Sequence, residues 1–217
     1  MIQLGLGAGA DQALTFLFLG AHSDDIEIGC GGTILRLAKQ YPRSAFGWVV
    51  FSAVGDRQAE AQRSARLFVQ PPQLSEAVVK PFPDGFLPYV GGEVKAVFEE
   101  LKRTICPNVV FTHNRKDAHQ DHRLIAELTW NTFRDHLILE YEIPKYDGDM
   151  GQPNFFVPLE KDAYENKVRF LMEAFSTQRS KRWFDPQTFL GLMRLRGMEC
   201  NSPSGFAEAF YCRKMVV

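Results

Sequence analysis

The stretch ALTFLFLGAHSDDIEIGCGGTILRLAKQ, residues 13–40, contains the pattern that decides the fold. Its first part, residues 14–20, is almost continuously apolar, which is typical of a β-strand buried on both faces. Its last part, residues 33–40, has the spacing of a helix. The junction between them carries a histidine, two adjacent aspartates and several glycines. A buried strand that passes through a polar turn into a helix is the basic unit of an α/β domain.

The same alternation continues through the first half of the chain. Further strands are predicted at residues 46–53, 76–82 and 108–113, and helices at 57–69 and 91–105. In the second of these helices, Val94, Val97 and Leu101 recur at the spacing of one helix face. Regular alternation of strands and helices predicts a parallel sheet covered by helices on both faces.

The pattern is looser after residue 136. A strand is predicted at 137–143, a turn-rich loop at 145–154, helices at 164–178 and 185–197, and a final strand from residue 206. Asp185 is expected to cap the last helix, with Pro186 in its first turn. We therefore predict a single domain over residues 1–217, a Rossmann-like three-layer α/β sandwich with a mainly parallel sheet and a less regular C-terminal part.

The composition argues against several classes of protein. A net charge of −1 gives no indication of a nucleic-acid partner. The four cysteines form no CxxC pair, so they indicate free thiols and a cytoplasmic location. The apolar runs are too short to span a bilayer, which predicts a protein without an integral membrane segment. The glycine-rich GLGAG at residues 5–9 lacks the preceding strand of a dinucleotide-binding motif, and we interpret it as a flexible arm.

Two short stretches concentrate the residues that carry chemistry. The first contains His22, Asp24 and Asp25, and the second is HNRKDAHQDH at residues 113–122. The second stretch holds His113, Asp117, His119, Asp121 and His122. Each stretch directly follows a predicted strand. Because ligands of open parallel sheets bind at the carboxyl ends of the strands, we expect the two stretches to meet at one edge of the sheet.

The spacing within the two stretches suits a metal. His22 and Asp25 are three residues apart, and so are His119 and His122, so that each pair projects to one side at the start of a helix. Imidazole nitrogens and one carboxylate oxygen suit zinc, and three protein ligands leave a fourth position for water. A second carboxylate beside such a centre serves as a general base. One aspartate is therefore expected to bind metal and its neighbour to move protons.

Each of these features also has a simpler explanation. Two aspartates at the start of a helix interact favourably with the positive end of the helix dipole. A histidine after a strand is often a hydrogen-bonded surface residue, and HQDH at residues 119–122 is compatible with a solvent-exposed helix start. Because the features occur together after two predicted strands, the metal site is the favoured interpretation.

The chain resembles the PIG-L-like, also called LmbE-like, family of zinc-dependent deacetylases. These enzymes remove acetyl from N-acetylglucosaminyl-phosphatidylinositol and from bacterial thiol precursors. The first family motif, AHPDD followed by E, G and GG, corresponds to AHSDDIEIGCGG at residues 21–32, and the second, close to HPDH, corresponds to HQDH at 119–122. Further similarities are Arg57 with Glu60, FPDG at 82–85 and AEAF at 207–210. The resemblance covers residues 14 to about 130 firmly and the remainder loosely.

The resemblance implies a role for each residue that matches a motif. The implied metal ligands are His22, Asp25 and His122. The implied cofactor is Zn²⁺, with Fe²⁺ as the alternative. Asp24 is implied as the general base, and protonated His119 as the electrostatic or acid group, supported by Asp121.

The resemblance also implies two residues that bind substrate. Arg57 and Asp84 match positions that contact substrate in the family. Each residue also has a purely structural explanation. Arg57 is compatible with a solvent-exposed position at the start of a helix, and Asp84 with an aspartate in a turn. Ser23 and Gln120 replace prolines of the family motifs. Since neither position supplies a ligand, the resemblance implies altered loop stiffness with retained chemistry.

The function expected from this resemblance is hydrolysis of the N-acetyl group of an amino sugar, with release of acetate. The substrate would be an N-acetylglucosamine-type glycoconjugate, a nucleotide sugar or a glycolipid. The expected partner is therefore a small-molecule or glycan substrate, and a homo-oligomer is left open. Two alternatives also remain: a thiol-pathway glucosaminide deacetylase or amidase, and a catalytically silent binding module on the same fold.

Overall fold

A computed structural model describes residues 12–74 and 76–216, and a seven-stranded sheet runs through it. The strands are β1 (Thr15–His22), β2 (Ala45–Ser52), β3 (Val78–Val79), β4 (Val109–His113), β5 (Leu137–Tyr141), β6 (Phe155–Pro158) and β7 (Ala207–Cys212). Their order is β3-β2-β1-β4-β5-β7-β6. The first five strands are parallel, and β7 pairs antiparallel with both β5 and β6. The predicted mainly parallel α/β sandwich is confirmed, and the glycine-rich stretch at 5–9 lies outside the described residues.

Helices cover both faces of the sheet. They are α1 (Asp25–Gln40), α2 (Asp56–Phe68), α3 (Gly91–Thr104), α4 (Gln120–Thr132), α5 (Lys161–Ala174) and α6 (Pro186–Glu199). The carboxylate of Asp185 accepts the backbone N–H of Gln187 at 2.8 Å, which confirms the predicted cap of α6. None of the helices in the described part of the chain combines the length and the apolar composition that a membrane crossing requires.

The core consists of two layers, one on each face of the sheet. Along β1, Phe16 and Phe18 pack in the layer beneath α1, α2 and α5, whereas Leu17 and Leu19 pack in the layer beneath α3 and α4. All four side chains are fully buried. Alternation of side chains between the faces is the geometry of a strand, and burial of each such side chain stabilises the fold by about 1.5–3 kcal/mol. The apolar run at residues 14–20 therefore forms the centre of the molecule.

Two elements differ from the sequence prediction. The strand predicted at 76–82 is reduced to the two residues of β3. Strand β6 was not predicted, because its four residues, FFVP, are half-buried, show no alternation and end in proline. Proline donates no hydrogen bond to a sheet and is tolerated at an edge, which is where β6 lies.

Helix α1 is broken at Cys30, whose φ of −146° and ψ of 19° are not helical. The predicted helix corresponds to the part after the break. A Cβ at Gly29 would overlap the ring of Tyr141, and a Cβ at Gly32 would overlap the side chain of Leu159. The glycines of the GCGG stretch therefore let α1 approach its neighbours more closely than any side chain would allow.

The strand order creates a crevice between β1 and β4. The chain continues from β1 to β2 on one side, whereas β4 and β5 lie on the other side. His22 is the last residue of β1 and His113 is the last residue of β4, and α1 and α4 begin shortly after them. The carboxyl edge at such a switch point is the usual ligand-binding position in open α/β sheets.

Candidate metal centre

The crevice brings the two polar stretches together. His22 ends β1, Asp25 begins α1, and His122 lies in the first turn of α4. His119 is the residue that caps α4, and its Nδ1 accepts the backbone N–H of Asp121 at 3.2 Å. The ring centroid of His119 lies 4.9 Å from that of His22 and 4.6 Å from that of His122. The four side chains therefore surround one small region at the edge of the sheet.

Three residues in this region bring donor atoms to the spacing of metal ligands, with each histidine facing a different oxygen of Asp25. Nδ1 of His22 lies 3.2 Å from Nε2 of His122 and 3.3 Å from Oδ2 of Asp25. Nε2 of His122 lies 3.4 Å from Oδ1 of Asp25. A tetrahedral zinc with ligand bonds of about 2.0–2.1 Å holds its ligand atoms about 3.3 Å apart. Both the donor types and their distances therefore fit a zinc-class ion.

Other groups of donor atoms overlap with these three. Three sets within the described residues are close enough to hold an ion: His22 with His119 and His122, Asp25 with His113 and His122, and His22 with Asp84 and Asp121. His22 and His122 each belong to two of the sets. The two predicted histidine ligands therefore lie where the sets overlap, and Asp25 belongs to the set that contains His113 and His122.

Asp24 and Asp25 occupy different environments although they are adjacent. Oδ2 of Asp25 accepts the backbone N–H of His22 at 2.6 Å. Within the described part of the chain, the side chain of Asp24 makes no capping hydrogen bond to α1. Its nearest cationic group is Nη2 of Arg57, at 3.9 Å from Oδ1. Because the side chain of Asp24 is only 6% exposed and does not cap α1, the helix-dipole explanation accounts poorly for it.

The pKa values of the two carboxyls shift in opposite directions. Burial, and then the charge of Asp25, raise the pKa of Asp24. Burial also opposes ionisation of Asp25, but the imidazoles of His122, His113 and His22 hold its pKa well below the usual range. Pairs of titratable groups with separated pKa values are typical of sites that divide charge and proton transfer between two residues.

The carboxylate of Asp121, implied by the resemblance as a support for His119, makes its hydrogen bonds to other groups. It accepts the backbone N–H groups of Gly85 at 2.8 Å and Leu87 at 3.1 Å. Its Oδ2 is also 3.2 Å from Nε2 of His22. Only the backbone of Asp121 contacts His119 through a hydrogen bond. The side chain of Asp121 therefore orients His22.

Both residues implied for substrate binding lie at the open side of the site. Oδ1 of Asp84 is 3.1 Å from Nε2 of His22, and its side chain is 53% exposed. Nη1 of Arg57 donates to Asp84, and Nε of Arg57 donates to Oγ of Ser23 at 3.3 Å. The hydrogen bond with His22 and the charge of Arg57 lower the pKa of Asp84. Ser23, which replaces a motif proline, thus contributes to the position of Arg57.

His113 is a site residue for which neither the spacing nor the resemblance implies a role. It is fully buried, and its Nε2 lies 3.2 Å from Oδ2 of Asp25 and accepts the backbone N–H of Ala21 at 2.9 Å. Burial and the neighbouring charge of His122 lower the pKa of His113 to about 4. His113 is therefore neutral at pH 7 and packs against the carboxylate of Asp25.

Asp117 is a second site residue without an implied role. Its Oδ2 lies 3.0 Å from Nδ1 of His122, and its Oδ1 lies 3.0 Å from Nζ of Lys145. Lys145 also contacts Asp149 at 2.6 Å, and Asp149 accepts the N–H of Ala118 at 2.7 Å. A carboxylate on the outer nitrogen of a ligating histidine fixes the ring and its tautomer. Asp117 was visible as part of the 113–122 stretch, whereas Lys145 had no sequence signal.

Comparison with known proteins gives a family match. A family model described as PIG-L: GlcNAc-PI de-N-acetylase matches residues 17–133, which is more than half of the chain. The matched range includes the two polar stretches and every site residue described above except Lys145 and Asp149.

Solved structures share the fold over most of the chain. A conserved protein from Thermus thermophilus has a TM-score of 0.75 at 21% identity, covering 94% of this chain and 96% of that one. The N,N'-diacetylchitobiose deacetylase from Pyrococcus horikoshii has a TM-score of 0.69 at 18% identity, covering 96% and 86%. The 4-carboxy-2-hydroxymuconate hydratase GalB from Pseudomonas putida has a TM-score of 0.71 at 17% identity, covering 94% and 98%. Because a deacetylase and a hydratase share this fold, function has to be argued from the site.

Proposed function

Because this chain belongs to the PIG-L (GlcNAc-PI de-N-acetylase) family, we propose that it is a metal-dependent hydrolase that removes the N-acetyl group from an N-acetylated amino sugar. The observation that carries the proposal is the convergence of His22, Asp25 and His122: the two histidine nitrogens lie 3.2 Å apart, and each lies 3.3–3.4 Å from an oxygen of Asp25. Asp24 is the neighbour of Asp25, and among the described residues its carboxyl makes no capping hydrogen bond to α1. A metal centre with an adjacent carboxyl group that can accept a proton has the groups that hydrolysis of an amide requires.

We assign the divalent ion to His22, Asp25 and His122. When bound, a zinc-class ion supplies a Lewis acid that polarises the amide carbonyl and makes water a stronger acid. Two imidazoles and one carboxylate suit Zn²⁺ and also suit Fe²⁺, so the proposal covers both ions.

The proton transfers are assigned to Asp24 and His119. Asp24 accepts a proton from the attacking water while the water oxygen bonds to the acetyl carbonyl carbon. His119 donates a hydrogen bond from Nε2 to the carbonyl oxygen as negative charge develops there. The C–N bond then breaks, and Asp24 returns its proton to the leaving nitrogen, which gives acetate and a free amine.

The state of His119 in this scheme differs from the sequence expectation. The resemblance implies a protonated imidazole at this position. Burial, followed by the charges of His122 and His22, lowers the pKa of His119. Since its Nδ1 accepts the N–H of Asp121, the proton of the neutral ring lies on Nε2. We therefore assign His119 as a neutral hydrogen-bond donor.

The proposed substrate is an N-acetylglucosamine-type glycoconjugate, nucleotide sugar or glycolipid. The amino-sugar class is supported by the family description and by the Pyrococcus horikoshii enzyme, a diacetylchitobiose deacetylase. Arg57 and Asp84 offer charged donors and acceptors at the open side of the site, which suit the hydroxyl groups of a sugar. The presence of a general base beside a complete ligand set favours an enzyme over a silent binding module.

An acetate-release assay tests the proposed function. Metal-loaded protein is incubated with N-acetylglucosamine, N,N'-diacetylchitobiose, a uridine diphosphate N-acetylglucosamine and an N-acetylglucosaminyl glycolipid. We expect equal amounts of acetate and free amine from at least one of them, loss of activity with a chelator, and recovery with Zn²⁺ or Fe²⁺. Metal-loaded protein that releases no acetate from the whole panel would contradict the proposal.

Arg57→Ala is expected to weaken substrate binding without loss of metal. A hydrogen bond to a charged group contributes about 1.5–3 kcal/mol, so KM is expected to rise roughly 10- to 100-fold. Steady-state kinetics and metal analysis measure both effects on the substrate found above. Arg66→Ala, an exposed arginine on the same helix, is the matched control and is expected to keep wild-type kinetics. A wild-type KM in Arg57→Ala would show that this arginine does not contact substrate.

A further inference from the structure

The break in α1 is occupied by side chains from two other elements. In a continuous helix the N–H of Gly32 would donate to the carbonyl of Ile28. Here the N–H of Gly32 donates instead to Oε1 of Glu208 at 2.9 Å. The carbonyl of Ile28 accepts from Nζ of Lys167 at 2.6 Å. The donor and the acceptor of that helical hydrogen bond, Gly32 N–H and Ile28 C=O, therefore each have a charged side chain as partner.

The two charged partners also bind each other. Nζ of Lys167 lies 2.6 Å from Oε1 of Glu208, and both side chains are 3% exposed. Oε2 of Glu208 accepts the N–H of Thr33 at 2.6 Å. Lys167 comes from α5 and Glu208 from β7, so a buried ion pair is inserted into a single turn of α1. Insertion of side chains into the helical hydrogen-bond ladder is a recognised cause of a kink.

Stability alone does not explain this ion pair. Removing two charges from water is costly, and replacing a buried ion pair by apolar side chains of similar volume is often neutral or stabilising. The pair is connected to the break through Ile28, Gly32 and Thr33. Its specific effect is therefore on the shape of α1.

We propose that Lys167 and Glu208 are positioning residues that keep α1 broken and thereby set the direction of its first segment, residues 25–29. That segment begins with Asp25, whose carboxylate must reach both His22 and His122. If the turn at Cys30 closed into regular helix, the first segment would align with residues 31–40 and Asp25 would move relative to the histidines. This inference rests on the proposed function, because it concerns the geometry of the same metal centre.

The test uses a charge-free double variant, Lys167→Met with Glu208→Leu, in the full chain. A crystal structure shows whether the Gly32–Ile28 hydrogen bond has closed. Co²⁺ absorption reports ligand geometry, and competition with a chelator gives the Zn²⁺ dissociation constant. We expect a closed turn, an altered Co²⁺ spectrum and a Zn²⁺ affinity that is about 10- to 100-fold weaker. This range is typical for the loss of residues that orient metal ligands without binding the metal. Thermal unfolding of the metal-free protein shows that the variant is folded.

Ser44→Ala is the matched control. It removes a buried acceptor of a backbone N–H, that of Leu14 at 2.9 Å, at the opposite end of β1. It is expected to lower the unfolding temperature but to keep the wild-type Co²⁺ spectrum and Zn²⁺ affinity. A simple loss of stability would therefore be distinguished from a change in the metal centre.

Each outcome decides the inference. A turn that stays broken in the double variant, or a wild-type Co²⁺ spectrum and Zn²⁺ affinity, overturns it. If the double variant does not fold, Glu208→Gln is judged by the same measurements, and an unchanged spectrum and affinity overturn the inference. If the wild-type protein binds no metal, the proposed function fails, and the crystal structure of the variant still decides whether the ion pair holds α1 broken and places Asp25.

Discussion

Asp24→Asn is expected to give a folded protein that binds its metal but hydrolyses substrate on the order of 100- to 10,000-fold more slowly. The amide keeps the size of the carboxyl but does not accept the proton of the attacking water. The side chain of Asp24 makes no capping hydrogen bond within the described part of the chain, so its replacement removes little support from α1. Turnover, metal content and thermal unfolding measured on one preparation check the expectation.

Asp25→Asn provides the contrast at the neighbouring position. Asp25 faces His22, His113 and His122, so loss of its charge is expected to weaken metal binding. Excess metal is expected to restore part of the activity of Asp25→Asn and none of the activity of Asp24→Asn. The reverse pattern would show that the two roles are exchanged. Full activity in both variants would remove the basis of the proposed mechanism.

His122→Ala has the second largest expected effect, a fall from about one equivalent of divalent metal per chain to nearly none. In the proposed ligand set His122 contributes Nε2, and its Nδ1 pairs with Asp117. Its removal deletes a ligand and leaves the buried carboxylate of Asp117 without this partner. Residues that hydrogen-bond to metal ligands already contribute about 10- to 100-fold to metal affinity. Loss of a ligand itself is therefore expected to weaken metal binding by more than about 100-fold. Elemental analysis and chelator competition measure the loss.

His136→Ala is the matched control for this variant. His136 lies just before β5, at the other end of the strands, and pairs with Asp135 at 2.9 Å. It is expected to keep full metal content and activity. Full metal content in His122→Ala as well would exclude His122 from the ligand set.

The central strands were predictable because their signal is local. The apolar run at 14–20 corresponds to β1, and the run at 108–113 corresponds to β4. Such strands are buried on both faces, so their composition alone identifies them. The order of the strands and the antiparallel position of β7 between β5 and β6 are set by packing over long distances in the chain. No local pattern specifies that order.

The candidate site was predictable where its residues are close in sequence. His22 and Asp25 form one short motif, and His119 and His122 form the other. Lys167 and Glu208 were not predictable as parts of its support. A lysine on a helix is usually exposed, and nothing near Lys167 in the sequence indicates that its partners are on α1 and β7. The part of the support that Lys167 and Glu208 provide is therefore visible only in three dimensions.

The contacts of His22 connect the two sides of the site energetically. Its Nδ1 belongs to the proposed ligand set, whereas its Nε2 contacts Asp84, which is paired with Arg57. A substrate that engages Arg57 changes the charge around Asp84 and hence around a metal ligand. By thermodynamic reciprocity, the factor by which substrate changes metal affinity equals the factor by which metal changes substrate affinity. Metal affinities measured with and without substrate should therefore differ, and that difference measures the cooperativity between the two ligands.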